Sequence, residues 1–115
     1  MNTTTNDLTA KTCQPCEGGT PPLSPDEVTE LMHQLDGWEF LDTRIAKEYH
    51  FKNYYQTIAF VNAIAWISHR EDHHPDMEVH YNRCVVQYST HDVGGLSLND
   101  FISAAKVEDI VTGNR

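Results

Sequence analysis

Apolar residues along this chain change their spacing several times, and each change marks an element. Ser24-Pro25-Asp26-Glu27 supplies a cap, a first-turn proline and an acid three residues on, the signature of a capping box. Val28, Leu31, Met32 and Leu35 then recur at helical spacing, which predicts a helix that stops at Gly37. Residues 38–41 and 44–51 are β-rich around Asp42-Thr43 and predict a hairpin whose first strand carries Trp38. Asn53 with Gln56 repeats the capping signature and opens the longest helix, residues 54–70. Its apolar residues form two adjoining stripes, Ile58, Val61 and Ala65 on one and Phe60, Ile64 and Ile67 on the other, a broad face suited to lying across a sheet.

Alternation returns at residues 78–81 and 83–89, in Val79/Tyr81 and then Cys84/Val86/Tyr88, with Asn82 at the turn. Asp92-Val93-Gly94-Gly95 reads as a loop, and Ser97 with Asp100 opens a last helix that buries Phe101, Ile102 and Ala105. The resulting order is αββαββα. Two hairpins separated by helices predict an α+β fold, a two-layer sandwich with a four-stranded antiparallel sheet and helices on one face. The uncovered face or edge would suit self-association. Residues 1–23, rich in Thr, Asn, Gly and Pro, read as a flexible leader, and residues 24–115 as the domain.

Length and charge narrow the function. A chain of 115 residues is one domain with a modest core that oligomerisation would help. Its 8 basic and 17 acidic residues give a net charge of −9, and the cations do not cluster, so no nucleic-acid partner is expected. The apolar run 58–67 is interrupted by Asn62 and too short for a bilayer, so no membrane partner is expected. Residues 1–10 have neither a cationic start nor an apolar stretch, which makes the cytoplasm the expected compartment. Cys84 falls in a predicted strand as a reduced, buried thiol, while Cys13 and Cys16 form a lone C-x-x-C without the second ligand pair of a zinc site or the strand-to-helix setting of a redox motif.

The candidate chemistry lies in Glu71-Asp72-His73-His74-Pro75, answered downstream by Ser89-Thr90-His91. Imidazole gives and takes protons near neutral pH, and Pro75 implies that the chain has left its helix, so adjacent rings can face one cavity. Three imidazoles match the count of a catalytic zinc shell. Adjacent His-His departs from the i, i+4 placement of helical ligands, and the nearest such pair is His69 and His73. General acid–base chemistry fits better, with Asp72, Asp92 or Asp100 orienting a ring and Ser89 and Thr90 offering hydrogen bonds to a polar heterocycle. His33, His50 and His80 read as fold or surface residues, and Glu71 as a solvated neighbour.

These residues resemble the pterin-4a-carbinolamine dehydratases. The resemblance is carried by His69-Arg70-Glu71-Asp72-His73-His74-Pro75, Tyr81, Ser89-Thr90-His91, Gly95-Leu96-Ser97 and Asp100, with Trp38 and Phe51-Lys52-Asn53-Tyr54 in support, and it spans about residues 24–107. It implies helices on one side of a four-stranded antiparallel sheet, and dimers that can pair into tetramers. It also implies loss of water from a 4a-hydroxytetrahydropterin to give a quinonoid dihydropterin, in recycling linked to aromatic amino acid hydroxylases, with no metal or organic cofactor. By position, His73 and His91 resemble the acid–base pair and His74 a third active-site imidazole. Asp72, Ser89 and Thr90 would line the pocket and Asp100 would support it. His69 departs from the family, many of whose members have an acid there. Trp38 reads equally as a pocket wall or a core anchor.

Overall fold

The computed structural model describes residues 8–15 and 20–112. Its elements are α1 (Pro25–Met32), β1 (Glu39–Leu41), β2 (Arg44–His50), α2 (Tyr54–Glu71), β3 (Asp76–Val79), β4 (Arg83–Tyr88) and α3 (Leu98–Thr112), with a 3-10 turn, His91–Val93, before α3. The αββαββα order and the α+β class are as expected.

Helix α1 starts on the anticipated capping box, in which Ser24 Oγ accepts the Glu27 N–H and the Glu27 carboxylate accepts the Ser24 N–H. It ends at Met32, short of Gly37, because the backbone tightens: Gln34 N–H donates to Leu31 O and Leu35 N–H to Met32 O. Gly37 then takes a left-handed conformation, φ 81°, that carries the chain into β1. Helix α2 is capped by Asn53, whose side chain accepts the Gln56 N–H. Its inward stripe is Thr57, Phe60 and Ile64, with Glu71 at its end, while Ala65 faces outward. Thr57 belongs to that stripe because its hydroxyl hydrogen-bonds to Asn53 O and Tyr81 O, which removes the penalty of burying it.

The sheet order is β1-β2-β4-β3, antiparallel throughout. Strand β3 begins two residues earlier than expected, pairing Asp76 with Gln87 and Met77 with Val86. It stops at Val79 because His80 N–H bonds across the turn to Arg83 O, leaving Tyr81 and Asn82 in the bend.

Residues opposite one another in an antiparallel pair share a face. Ile45, Lys47 and Tyr49 of β2 therefore align with Tyr88, Val86 and Cys84 of β4 on the core side. Lys47 is the exception to an apolar row, and its ammonium is answered by both oxygens of Glu108 on α3, each at 2.9 Å. Glu108 also accepts from the Tyr49 hydroxyl and the Trp38 indole N–H. Burial, with the Glu108 carboxylate alongside, pushes the Tyr49 hydroxyl far above its ordinary pKa and keeps it a donor. Trp38 is thus a core anchor, edge-on to Tyr49 and tilted against Tyr88.

Part of the segment expected as a flexible leader contributes to this core. Leu8 is 1% exposed and clusters with Ile64 and Phe101. Cys13 is half-buried, its N–H donated to Glu71. Cys16 lies outside the described residues. No helix among the described residues is long and apolar enough to cross a membrane.

Candidate active site

Three chain turns build the site. The first ends α2: Asp72 adopts the left-handed conformation, φ 52°, and the N–H groups of Asp72 and His73 both fold back on Ser68 O. Pro75, two residues beyond His73, cannot continue a helix, and β3 begins immediately after it. The second turn leaves β4, where Thr90 and Gly95 pair in an antiparallel bridge that pinches off His91–Val93, closed by Gly94 at φ 71°. The third opens α3 at Ser97 and Asp100.

Asp100 joins all three. It is fully buried; its Oδ2 accepts the Thr90 hydroxyl at 2.7 Å and the Ser97 N–H at 2.9 Å, and its Oδ1 lies 2.7 Å from His73 Nε2. The Ser97 bond caps α3, so the helix start and the histidine depend on one carboxylate. The Ser97 hydroxyl lies 2.7 Å from that of Thr90 and completes the ring of contacts. An ionised carboxylate only accepts, so beside the carboxylate form of Asp100 the proton sits on His73 Nε2 and Nδ1 is the nitrogen able to exchange. The His73 ring stacks on Tyr88 at 5.8 Å between centroids and 12° between planes. Burial raises the Tyr88 hydroxyl well above its ordinary pKa, so the platform is neutral near pH 7.

His73 opens onto a cleft of about 430 Å³ lined also by Asp72, His74, Ser89, Thr90 and His91. Its size falls within the range of about 300–1,000 Å³ usual for small-molecule sites. Every expected site residue thus borders one cleft, except Asp100, which lies behind it and holds His73. His74 and His91 are exposed, on loops that follow different elements. Among the described residues no group of three or more His, Cys, Asp or Glu side chains is arranged to hold a metal ion.

Sequence reasoning missed four participants. Asp76 and Gln87, paired across β3 and β4, line the cleft from the outer face of the sheet. For Tyr88 the sequence shows only strand alternation with Cys84 and Val86, which carries no sign of the ring above it. Glu71, taken as a solvated neighbour, is buried, with Oε2 2.7 Å from Lys106 Nζ and Oε1 accepting the Cys13 N–H at 2.9 Å. Burial alone would raise its pKa, but the Lys106 ammonium and the Cys13 N–H outweigh that and hold it below the ordinary value.

Residues 21–110 match the family described as pterin 4 alpha carbinolamine dehydratase. The chain belongs to that family. It is 64% identical over 110 residues to a Nitrosospira multiformis protein named as a candidate pterin-4-alpha-carbinolamine dehydratase, covering 96% of this chain and 97% of that one. A Nitrosomonas eutropha protein of the same name is 61% identical over 103 residues, 89% of this chain and 91% of its own. Among solved structures, a transcriptional coactivator/pterin dehydratase from Brucella melitensis superimposes with a TM-score of 0.75 at 30% identity, over 77% of this chain and 97% of that chain. A pterin dehydratase-like protein identified as a RuBisCO assembly factor of the alpha-carboxysome shares the fold, with a TM-score of 0.54 at 22% identity over 68% of this chain and 89% of its own.

Proposed function

We propose that this protein removes water from a 4a-hydroxytetrahydropterin, giving a quinonoid dihydropterin. The observation that carries the reading is His73, bonded to buried Asp100 and opening onto a cleft that His74 and His91 also border. In the reaction the C4a–O bond breaks and the proton on the adjacent ring nitrogen leaves. One imidazole acting as acid protonates the departing oxygen, and another acting as base takes the nitrogen's proton. His73 and His91 form that pair, His74 binds or orients the ring, and Asp72, Ser89 and Thr90 line the pocket. Asp100 fixes the tautomer and angle of His73, as a carboxylate does behind a catalytic imidazole. The chemistry needs no metal or organic cofactor.

The activity would serve pterin recycling for an aromatic amino acid hydroxylase in the cytoplasm, from a homodimer or homotetramer. The test is a coupled assay in which such a hydroxylase generates the hydroxypterin. Faster disappearance of the carbinolamine with this protein present supports the reading, and no acceleration overturns it.

A second reading is a non-catalytic pterin-binding or protein-dimerisation module, and exposed aromatics favour the association: Tyr55 is 81% exposed, Tyr81 64% and Trp66 62%. The Brucella relative's name includes a coactivator role. A protein that binds pterin without accelerating its dehydration would favour this second reading.

A further inference from the structure

The hydrogen bond to Asp100 fixes one end of the His73 ring and leaves the ring free to turn about that contact. A second contact sets its plane. The Tyr88 ring lies against it at 5.8 Å between centroids and 12° between planes, an offset stack within the range that aromatic pairs prefer. Tyr88 is fully buried and does not line the cleft, although its chain neighbours Gln87 and Ser89 do.

Tyr88 is itself backed by a further ring. Trp38 lies 6.2 Å from it between centroids, tilted by 36°. The Trp38 indole N–H is given to Glu108 Oε1 at 3.3 Å, and the Lys47 ammonium and the Tyr49 hydroxyl hold that carboxylate in turn. Asp100 and Glu108 both belong to α3, about 12 Å apart along its axis. One helix thus reaches the histidine by two routes, directly at Nε2 through Asp100 and at the ring face through Glu108, Trp38 and Tyr88.

The second route runs through the ring of Tyr88 and not through its hydroxyl. That hydroxyl is buried without a hydrogen-bond partner among the described residues, the nearby Ser68 hydroxyl being given to Ile64 O. It adds nothing to the contact with His73, so phenylalanine supplies the same stack. A branched or linear aliphatic side chain fills the space but presents no flat face to hold the imidazole in one plane.

Resting on the pterin dehydratase reading, we propose that Tyr88 and, behind it, Trp38 are positioning residues for the reaction. They hold the plane of the His73 ring, so that Nδ1, the nitrogen able to exchange a proton, meets the cleft at one fixed angle. Neither lines the cleft, so their effect falls on kcat and not on KM.

The experiment uses the full chain and reads the ring and the reaction separately. With isotope-labelled histidine, the His73 ring signals in the NMR spectrum are assigned by their loss in His73→Ala. Tyr88→Leu should move them, because the ring current of the stacked neighbour is gone, and Tyr88→Phe should leave them in place. With a 4a-hydroxytetrahydropterin, Tyr88→Leu should lower kcat by about three- to tenfold at unchanged KM, the worth of one aromatic pair, and Tyr88→Phe should restore it. Tyr88→Met, likewise without a flat ring, replaces Tyr88→Leu where the latter does not fold. Trp38→Phe keeps a ring but gives up the bond to Glu108, and should cost less in kcat and nothing further when added to Tyr88→Leu. Either a wild-type kcat or unmoved His73 signals in Tyr88→Leu overturns the proposal, as does a Tyr88→Phe protein as slow as Tyr88→Leu. A Trp38→Phe loss that adds in full to that of Tyr88→Leu overturns the part given to Trp38. His73 signals that move as expected in a protein that turns over no hydroxypterin leave the positioning standing and overturn the dehydratase reading.

Discussion

At the scale of single residues, the site turns on a histidine whose orientation is decided by a group outside the cleft. Removing the ring in His73→Ala should lower kcat for dehydration by about 10²–10⁴-fold, the usual worth of a positioned acid or base. Asp100→Asn should fall in the same direction while keeping its size, because an amide nitrogen turned toward Nε2 cannot accept its proton and favours the wrong tautomer. The same change removes a charge from Thr90 and Ser97, so kinetics must be read beside a thermal melt. A His73→Ala protein as fast as wild type would sink the acid–base assignment. His73, His74 and His91 were legible because proton chemistry needs imidazole and because Pro75 signals an exit from the helix. Asp100 was legible through its capping position. Tyr88 and Glu71 were not, since alternation and polarity describe a residue's own preference and not the ring or cation that meets it. Glu71 is settled by Lys106, 35 positions later, and by Cys13, 58 positions earlier.

At the scale of elements, α2 and the turn that ends it are tied to α3 twice, by Glu71 to Lys106 and by His73 to Asp100. The first tie ends α2 and immediately precedes left-handed Asp72, so it governs how the chain enters the site. Glu71→Gln keeps the shape and loses the charge, and should cost about 1.5–3 kcal/mol near neutral pH, the range for a hydrogen bond to a charged group. The sign of its pH dependence follows from the lowered pKa. A carboxylate with a folded value below its ordinary 4.5 stabilises the fold fully above that value and loses the contribution as pH falls through the folded one. The gap in melting temperature between wild type and Glu71→Gln should therefore be widest near neutrality and close on acidification below 4.5. A constant gap would mean that packing, not charge, holds the tie. Element order, both early caps and the two hairpins were readable from local pattern. The ends of α1 and β3 were not, because backbone bonds within the turns, Leu35 to Met32 and His80 to Arg83, decide them. Residues 8–15 lack apolar periodicity, yet one leucine and a few backbone groups suffice to dock them, which local pattern does not show.

At the scale of the whole molecule, the sheet has one face covered by helices and one face open, with β1 and β3 at free edges. The open face carries Glu48, His50, Glu78 and Arg83 in cross-strand register, a charged surface unlike the core row behind it. Exposed large apolar side chains include Tyr54, Tyr55 and Trp66 on α2, Val79 at the end of β3 and Tyr81 in the turn after it, with others on β1 and α3. Thr57 bonds to Tyr81 O and so holds that turn against the start of α2, the end of the helix that carries Tyr54 and Tyr55, whereas Trp66 lies further along it. A 13.1 kDa chain gains disproportionately from covering such surface, because small domains bury a smaller fraction of their area. Sedimentation velocity should therefore give a species of two or four chains at micromolar concentration. Tyr55→Asp and Trp66→Asp, each replacing an exposed ring with a charge, should shift it toward the monomer without lowering the intrinsic fold stability by more than about 0.5 kcal/mol, the ordinary range for a surface substitution. If wild type sediments as a monomer across that range, the aromatics serve a different partner, and the association reading loses its self-complementary form. If the oligomer persists in both variants, the contact runs instead through the strand edges, where backbone pairing rather than aromatic burial supplies the affinity.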